Sequence, residues 1–463
     1  MSRGGVGPAL MIVAVMGALA CVQTPDARGP AASDQSGGPR RTPGLLLLVS
    51  VEGLRAAPAR DPAQMPTVAA LSAAGAWAQG VRGVGTPLTY PAHATIVTGR
   101  APDAHGVVAD RLLGRRGVRG IFFWHATRVQ GPSLWQSMRA ADRPVAAIGW
   151  PSTVGAAAPL IVPDLVPLRP GETWLGVLEG AATPGLLEAM RQVPGSTDMW
   201  PAPRIRDAAL SRAACAAVRD PLAPQLVLLR LSEPAAALQT HGPASPPVRE
   251  ALRRVDQRLS ELLACIDVAG RRAGAAVAVV GDRVLSPVHT RIDPNTLLAQ
   301  AGLIVRDATP TSGVGSWRAL VRATDALATV YATDEQAALQ ARDLLERAAG
   351  RSGAFRVLGA ARLQELRGDP RAWFGLEAAP GYVFGDAPVG PLLRPARRRA
   401  AGRGEAGSAF VLAGAGVRVR QIVPDMSLLD VAPTLAQLLG LPLEDVEGRA
   451  LVGLLVAGGA AAQ

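Results

Sequence analysis

Continuous apolar runs, rather than alternating ones, mark the predicted strands of this chain. "GLLLLVSVEGLR" contains Glu52 at its polar end, and "QLVLLRL" (225–231) and "AAVAVVGD" (275–282) repeat the pattern. Such runs are typical of strands that are buried on both faces, as in a parallel sheet. "SAFVLAGAG" (408–416) predicts one further strand.

Helical periodicity separates these runs. Apolar residues recur at helical spacing from Val248 to Ile266, and "MPTVAALSAAG" predicts a helix with Thr67 as its cap. "SLLDVAPTLAQLLGLP" predicts a helix that ends at Gly440. Strands that alternate with helices predict an α/β fold, a doubly wound, mainly parallel sheet flanked by helices.

Polar residues follow the predicted strands at the positions where this fold places its chemistry. Ligands and catalytic groups lie beyond the C-terminal ends of the strands in an open α/β sheet. Glu52, the Ser232–Glu233 pair and Asp282 fall at such ends.

The composition and the hydrophobic pattern of the sequence change along the chain and predict five segments. They are a signal peptide at 1–21, a flexible linker at 22–43, an α/β core at 44–315, an inserted α+β subdomain at 316–388 and a return to the core at 389–463.

The N-terminus predicts export. Arg3 precedes an apolar run, and small residues stand directly before Cys21, as in a bacterial lipoprotein signal, although Ala18 replaces the usual leucine. A plain secretory signal and an uncleaved anchor are the alternatives. All three place the body of the protein outside the cytoplasm, in the periplasm or attached to a membrane through a lipidated Cys21. An oxidising compartment permits pairing of Cys215 with Cys265, which their spacing alone does not establish.

Charge adds little to this picture. The 463 residues carry a formal net charge of +11, and every basic side chain is arginine, which indicates compositional bias. The arginine cluster at 394–404 is interpreted as a solvated loop, with an anion or membrane-surface patch as the alternative. Aromatic residues are not interleaved with it, so no nucleic-acid surface is predicted. The sequence does not identify a binding partner for the protein.

Three motifs stand in an order that resembles a known family. "GTPLTYPAHATIVTGRAPDAHGVVAD" (85–110) is the most specific, "VVGDRVLSPVHTRIDPNTLLAQAGL" follows, and "LLDVAPTLAQLLGLPLEDVEGRAL" ends the series. Together they resemble the type I phosphodiesterase/nucleotide pyrophosphatase branch of the alkaline phosphatase superfamily, over roughly Leu45 to Leu455. The resemblance implies two zinc ions that activate a threonine nucleophile for attack on a phosphate ester.

The first zinc site that the resemblance implies is partly present. The first-strand aspartate corresponds to Glu52, the nucleophile to Thr89, and an Asp-His pair to Asp282 and Arg283. Arginine cannot ligate zinc because it stays protonated and has no lone pair to give. Members of the family bind the phosphate oxygen with an asparagine, whose position corresponds to Asp110 in this sequence. A carboxylate there would repel the phosphate.

The second zinc site lacks its ligands in this alignment. When positions are counted back from Gly242-Pro243, Ala235 stands where the family has a zinc-binding aspartate. Gln239 stands where the family has a zinc-binding histidine. The region of the last histidine is rich in arginine. A shifted register in which Glu233 and His241 replace the lost pair is the alternative.

The other four histidines are predicted to be structural. Core hydrogen bonding is expected for His93, a turn position for His105, a half-buried spacer for His125, and a place in the strand tail for His289.

The residues therefore predict a pseudoenzyme, an exported phosphodiesterase-like protein that binds or scaffolds and needs no cofactor. One alternative is an active metal-dependent phosphodiester or nucleotide hydrolase. It would use Thr89 as nucleophile and hold one zinc or other divalent metal at Glu52, Thr89 and Asp282. A structural envelope protein is the other alternative.

Overall fold

The computed structural model describes residues 42–307, 313–403 and 407–456. Its centre is an eight-stranded mixed sheet in the order β21 (Gln421–Val423), β2 (Ala76–Ala78), β20 (Phe410–Gly414), β9 (Ala275–Gly281), β1 (Leu45–Val51), β8 (Leu226–Leu231), β6 (Val145–Trp150) and β7 (Leu160–Pro163). The five adjacent strands β9, β1, β8, β6 and β7 run parallel to one another. Strand β20 is antiparallel to both of its neighbours, β2 and β9. The predicted α/β, mainly parallel fold is confirmed.

The strands in chain order are β1 Leu45–Val51, β2 Ala76–Ala78, β3 Val81–Arg82, β4 Arg111–Gly114, β5 Gly117–Phe122, β6 Val145–Trp150, β7 Leu160–Pro163, β8 Leu226–Leu231, β9 Ala275–Gly281, β10 Val284–Ile292, β11 Ile304–Arg306, β12 Val314–Trp317, β13 Ala319–Thr324, β14 Leu327–Ala332, β15 Phe355–Leu358, β16 Phe374–Ala378, β17 Gly381–Phe384, β18 Leu393–Pro395, β19 Ala400–Arg403, β20 Phe410–Gly414, β21 Gln421–Val423 and β22 Met426–Ser427.

The α-helices are α1 Ala56–Ala59, α2 Pro66–Ala74, α3 Thr89–Thr98, α4 Pro102–His105, α5 Leu134–Ala140, α6 Trp174–Leu178, α7 Pro184–Arg191, α8 Pro203–Val218, α9 Glu233–His241, α10 Pro246–Val268, α11 Asn295–Gln300, α12 Glu335–Ser352, α13 Ala360–Glu365 and α14 Val431–Leu439. Among these described helices, none is long and apolar enough to cross a membrane.

Both faces of the main sheet are covered, which explains the unbroken apolar runs. Alternate residues of β1 point into two different cores, with Leu47 in one and Leu48 in the other. Helices α2, α7, α8 and α10 pack on the first face, and α3, α5 and α14 pack on the second. A strand buried on both faces gains from apolar side chains at every position.

A second sheet, which is entirely antiparallel, follows in the chain in the order β13-β14-β16-β15. We call it the second sheet. Helix α12 packs on this sheet, and together they form an apolar core separate from those of the main sheet. Strand β10 extends from the end of β9 toward this part and pairs with β17, β18 and β19. The division into segments at 44, 316 and 389 stays a prediction, and the proposed signal and most of the linker lie outside the described residues.

The structure corrects the predicted start of one helix and confirms the predicted end of another. Helix α2 begins after Met65 and not at Thr67, because the Asp256 carboxylate of α10 accepts hydrogen bonds from the amides of Thr67 and Val68 at 3.0 and 2.9 Å. The sequence-based assignment of Thr67 as cap is therefore wrong. Helix α14 does end at Gly440, which adopts the left-handed conformation typical of a helix C-terminus.

A disulfide joins Cys215 of α8 to Cys265 of α10. The two helices pack side by side on one face of the main sheet. The pairing that the sequence left open is thus present in the structure.

Candidate active site

The ends of β1 and β9 bring two carboxylates together. The two strands are parallel neighbours with Val51 opposite Gly281, so Glu52 and Asp282 leave the sheet side by side. Thr89 is the first residue of α3, and its hydroxyl donates to Glu52 Oε2 at 3.4 Å. All three side chains are buried. The structure therefore places the three residues of the implied first site in one cluster.

Arg283 occupies the middle of this cluster. Its Nη1 donates to Thr89 Oγ1 at 2.8 Å and forms an ion pair with Asp282, while its Nη2 lies 3.5 Å from Glu52 Oε2. The side chain is only 7% exposed. Arg283 therefore pairs with both carboxylates of the cluster.

A second arginine, Arg230, was missed by sequence reasoning. It lies in β8, forms an ion pair with Glu52, and donates from Nη2 to Asp164 at 2.5 Å. Its Nε donates to the carbonyl of Gly149 at 2.8 Å. Tyr90 completes the network, because its hydroxyl donates to the second oxygen of Asp164 at 2.9 Å.

The sequence did carry a signal for Arg230. It is the one charged residue inside "QLVLLRL", a run whose other residues predict burial. A charge in such a strand requires a buried partner of opposite charge. Its partner Asp164 is 66 residues away, directly after β7, and only the sheet order brings the two together.

Burial and the arginines act in opposite directions on the acids of this cluster. Burial alone would raise the pKa of Glu52, but the guanidinium groups of Arg230 and Arg283 hold that pKa below its ordinary value. Burial raises the pKa of Asp282 to about 6 despite the adjacent Arg283. Both carboxylates are therefore ionised at neutral pH and neutralised by fixed cations.

Asp110 lies in the wall beside Thr89. One of its oxygens accepts a hydrogen bond from the amide of Tyr90 at 2.8 Å. Burial raises the pKa of Asp110 to about 6. This carboxylate therefore positions the start of α3, and its charge stays within the pocket at neutral pH.

The stretch from Glu233 to His241 forms helix α9. Ala235 and Gln239 line the pocket and present a methyl group and an amide there. Glu233 instead pairs with Arg254 of α10 at 2.6 Å, and His241 is exposed. The structure thus does not bring Glu233 and His241 together as a replacement pair.

A cavity of about 240 Å³ opens beside this network. Glu52, Thr89 and Arg230 line its polar side. Part of its wall is aromatic, which was not predicted from the sequence, and consists of Tyr90, Phe122, Trp174 and Trp200. The cavity thus combines a charged floor with apolar walls, as ligand pockets generally do.

The histidines contribute no side chain to the ion-pair network. His93 is buried, and its Nδ1 lies 2.7 Å from the carbonyl of Thr89. His105 is buried between Thr95 and the amide of Val107, at 3.1 Å from each. His289 is exposed and contacts Thr290. His125 is exposed, so its predicted half-buried position is wrong.

The sequence suggested that the arginine cluster at 394–404 is a solvated loop, but the structure does not form one continuous loop there. Arg394 pairs with Asp293 at 2.7 Å, and Arg398 pairs with Asp325 at 3.0 Å. Part of the cluster is strand β19, which pairs with β10. The segment is held against the body of the protein by these contacts.

The donor set does not fit the two zinc ions that the resemblance implies. Zinc needs about four nitrogen, sulfur or oxygen donors around one ion. Here Glu52, Thr89 and Asp282 are all bonded to guanidinium groups, which a metal would have to displace. In the part of the chain that the structure describes, no group of three or more His, Cys, Asp or Glu side chains is arranged to hold a metal ion.

Comparisons with known proteins show the family and the fold of this chain. A family model described as Type I phosphodiesterase / nucleotide pyrophosphatase matches residues 46–362. Human ectonucleotide pyrophosphatase / phosphodiesterase 5 superposes with a TM-score of 0.64 at 16% identity, over 89% of this chain and 100% of that one.

Two murine structures of the same enzyme type give similar values. The murine ectonucleotide pyrophosphatase / phosphodiesterase 5 has a TM-score of 0.63 at 17% identity, and an inactive variant in complex with AMP has 0.63 at 16%. Both cover 89% of this chain and 100% of their own. These likenesses show the fold alone. Comparison with curated proteins gives no match.

Proposed function

Because this chain belongs to the Type I phosphodiesterase / nucleotide pyrophosphatase family, we propose that it is an exported member that binds its ligand without hydrolysing it. Its role is then recognition or scaffolding outside the cytoplasm. The family's reaction is metal-dependent phosphodiester and pyrophosphate hydrolysis.

One observation carries the proposal: two guanidinium groups neutralise the site from within. Arg230 and Arg283 both pair with Glu52, and Arg283 also bonds Asp282 and Thr89. The positive charge that a metal would supply to these acids is thus supplied by side chains. Unlike a metal, a guanidinium group offers no open coordination position for a water or an alkoxide.

The surroundings of Thr89 also argue against a working nucleophile. A threonine hydroxyl needs an adjacent general base or a metal to become reactive. Its neighbour Glu52 is a weak base, since two arginines lower its pKa. The hydroxyl oxygen accepts a hydrogen bond from Arg283 at 2.8 Å, which occupies a lone pair. These surroundings support a binding role for Thr89 and not a nucleophilic one.

Turnover of bis(p-nitrophenyl) phosphate tests this proposal. The purified mature protein should show no zinc-stimulated release of p-nitrophenol above that of its Thr89→Ala variant. Losing the stabilisation by even one metal costs several kcal/mol, and each 1.36 kcal/mol is about tenfold in rate. An active member of the family, assayed in the same buffer, shows that the assay detects hydrolysis.

The competing hypothesis of an active hydrolase makes the opposite prediction. Zinc-stimulated turnover that disappears in Thr89→Ala would contradict our proposal, as would two zinc ions per chain by elemental analysis. The Arg283→His variant should not gain two-zinc binding, since Ala235 and Gln239 still supply no ligand. AMP, present in one of the murine structures, is the first ligand whose binding without hydrolysis should be measured.

A further inference from the structure

A second and larger cavity, of about 630 Å³, adjoins Thr89 on the side of the second sheet. We call it the arginine chamber. Six arginines line it, against the four carboxylates Glu52, Asp110, Asp325 and Asp386. The arginines are Arg111, Arg283, Arg291, Arg322, Arg397 and Arg398. Among the residues that line the chamber, arginines outnumber carboxylates. Two of these arginines, Arg291 and Arg322, also pair with Asp293 and Asp369 behind the lining.

Part of that charge is not neutralised by the protein. Within the described residues, Arg397 has no ion-pair partner, and Arg111 has only Phe122, over whose ring its guanidinium lies at 4.9 Å. The Nε of Arg283 is buried and has no hydrogen-bond partner. A buried donor that is left unpaired costs free energy until some acceptor reaches it. These groups point to an acceptor that the chain itself does not provide.

Other arginines of the chamber are held in place beforehand. Arg291 pairs with Asp293 at 2.7 Å and lies against the backbone of Gly385, in space that any Cβ atom would occupy. Arg322 is buried and donates to the carbonyl of Arg111. A ligand would therefore meet a preorganised wall, which lowers the entropic cost of binding.

We propose that the arginine chamber binds a small soluble polyanion, a molecule with at least two phosphate, sulfate or carboxylate groups. Guanidinium groups pair with such oxyanions through two parallel hydrogen bonds. The volume of the chamber suits a small molecule and not a macromolecule. One anionic group lies near Arg283 and the other near Arg397. The inference rests on the proposed function, because it names the ligand class of the same non-hydrolytic site.

Isothermal titration calorimetry in EDTA with tripolyphosphate as the probe tests the inference. Tripolyphosphate should bind at least about tenfold more tightly than orthophosphate, because only the longer anion reaches both ends of the chamber. The affinity should fall as NaCl is raised, since one end of the chamber is exposed.

Two neighbouring arginines give a matched pair of variants. Arg397→Gln should weaken tripolyphosphate binding by about fivefold or more, as expected for loss of a charge-assisted contact. Arg399→Gln removes a charge that is also exposed but does not line the chamber, and should leave the affinity within about twofold. Circular dichroism of both variants checks that they are folded.

Absence of tripolyphosphate binding to the wild type would overturn the inference. Equal weakening by Arg397→Gln and Arg399→Gln would also overturn it, because it would show only nonspecific attraction to a basic surface. Neither result involves zinc-stimulated turnover. Failure of this inference is therefore distinguishable from failure of the proposed function.

Discussion

At the scale of single residues, Glu52 connects the whole site. It accepts from Thr89 and pairs with two arginines from two different segments of the chain. Each buried ion relies on its partners, because charges removed from water are costly unless they are paired. Removing one member therefore affects the others.

Arg283→Ala should destabilise the protein clearly. It leaves Asp282 without its buried cation and Glu52 with one fewer, and breaking a buried pair from one side costs about 3–5 kcal/mol. Urea unfolding followed by fluorescence measures the loss. Arg82→Ala is the control, since the Arg82–Asp425 pair is exposed on both sides and its loss should cost less than about 1 kcal/mol. Equal stability of wild type and Arg283→Ala would show that the buried contacts contribute nothing.

At the scale of elements, contacts between helices decide several local features. Helix α10 supplies the Asp256 carboxylate that caps α2, and it is bonded covalently to α8. Short α4 is held through His105, which bridges α3 and the following loop. Such contacts are distant in sequence and absent from local patterns.

Replacing both Cys215 and Cys265 by alanine should lower stability. The disulfide closes a loop of 50 residues, and loop-closure entropy for that length is about 4 kcal/mol. Calorimetry with and without dithiothreitol measures the effect. The reductant should lower the melting temperature of the wild type and leave the double variant unchanged; a reductant-insensitive wild type would contradict the prediction.

His105 should make the fold sensitive to acid. Burial, reinforced by Arg100, lowers its pKa from 6.5 to about 3. Between these values the unfolded chain binds a proton that the folded chain does not, so this contribution is complete above pH 6.5 and decreases on acidification. The expected slope is about 1.4 kcal/mol per pH unit.

Urea unfolding between pH 7 and pH 4 isolates this contribution. The His105→Gln variant, compared with wild type, should lose stability less steeply as the pH falls. His289→Gln is the control, since His289 is exposed. Parallel curves for His105→Gln and wild type would rule out this role of His105.

At the scale of the whole molecule, two sheets meet at the candidate site. Strands of the main sheet carry or lead into Glu52, Arg230 and Asp282, and β13 of the second sheet supplies Arg322 to the arginine chamber. The disulfide agrees with a location outside the cytoplasm. The N-terminal segment that predicts export lies outside the described residues.

Cys21→Ser distinguishes the three interpretations of the N-terminus. For a lipoprotein, the wild type should enter the membrane fraction of the expressing bacterium, and Cys21→Ser should not be lipidated and should leave it. Cell fractionation with immunoblotting measures this. A soluble wild type would indicate a plain secretory signal, and a variant that stays in the membrane would indicate an uncleaved anchor.

The sequence by itself determined the elements and their class. Apolar runs such as Leu45–Val51 predict buried strands because burial on both faces requires them. Glu52 and Asp282 could be placed together because parallel strands end at one edge of the sheet. The motif around Thr89 resembles a family, and that family's model matches the chain.

Only the tertiary structure decided how the charges are paired. Arg230 and Asp164 meet because β8 lies next to β6 and β6 next to β7, an order that no local pattern encodes. Arg283 touches Thr89 from 194 residues away. The arginines of the chamber come from five separate elements and loops, and their combined field arises only where these converge. Periodicity reports burial, whereas electrostatic pairing depends on distances between chain-distant atoms.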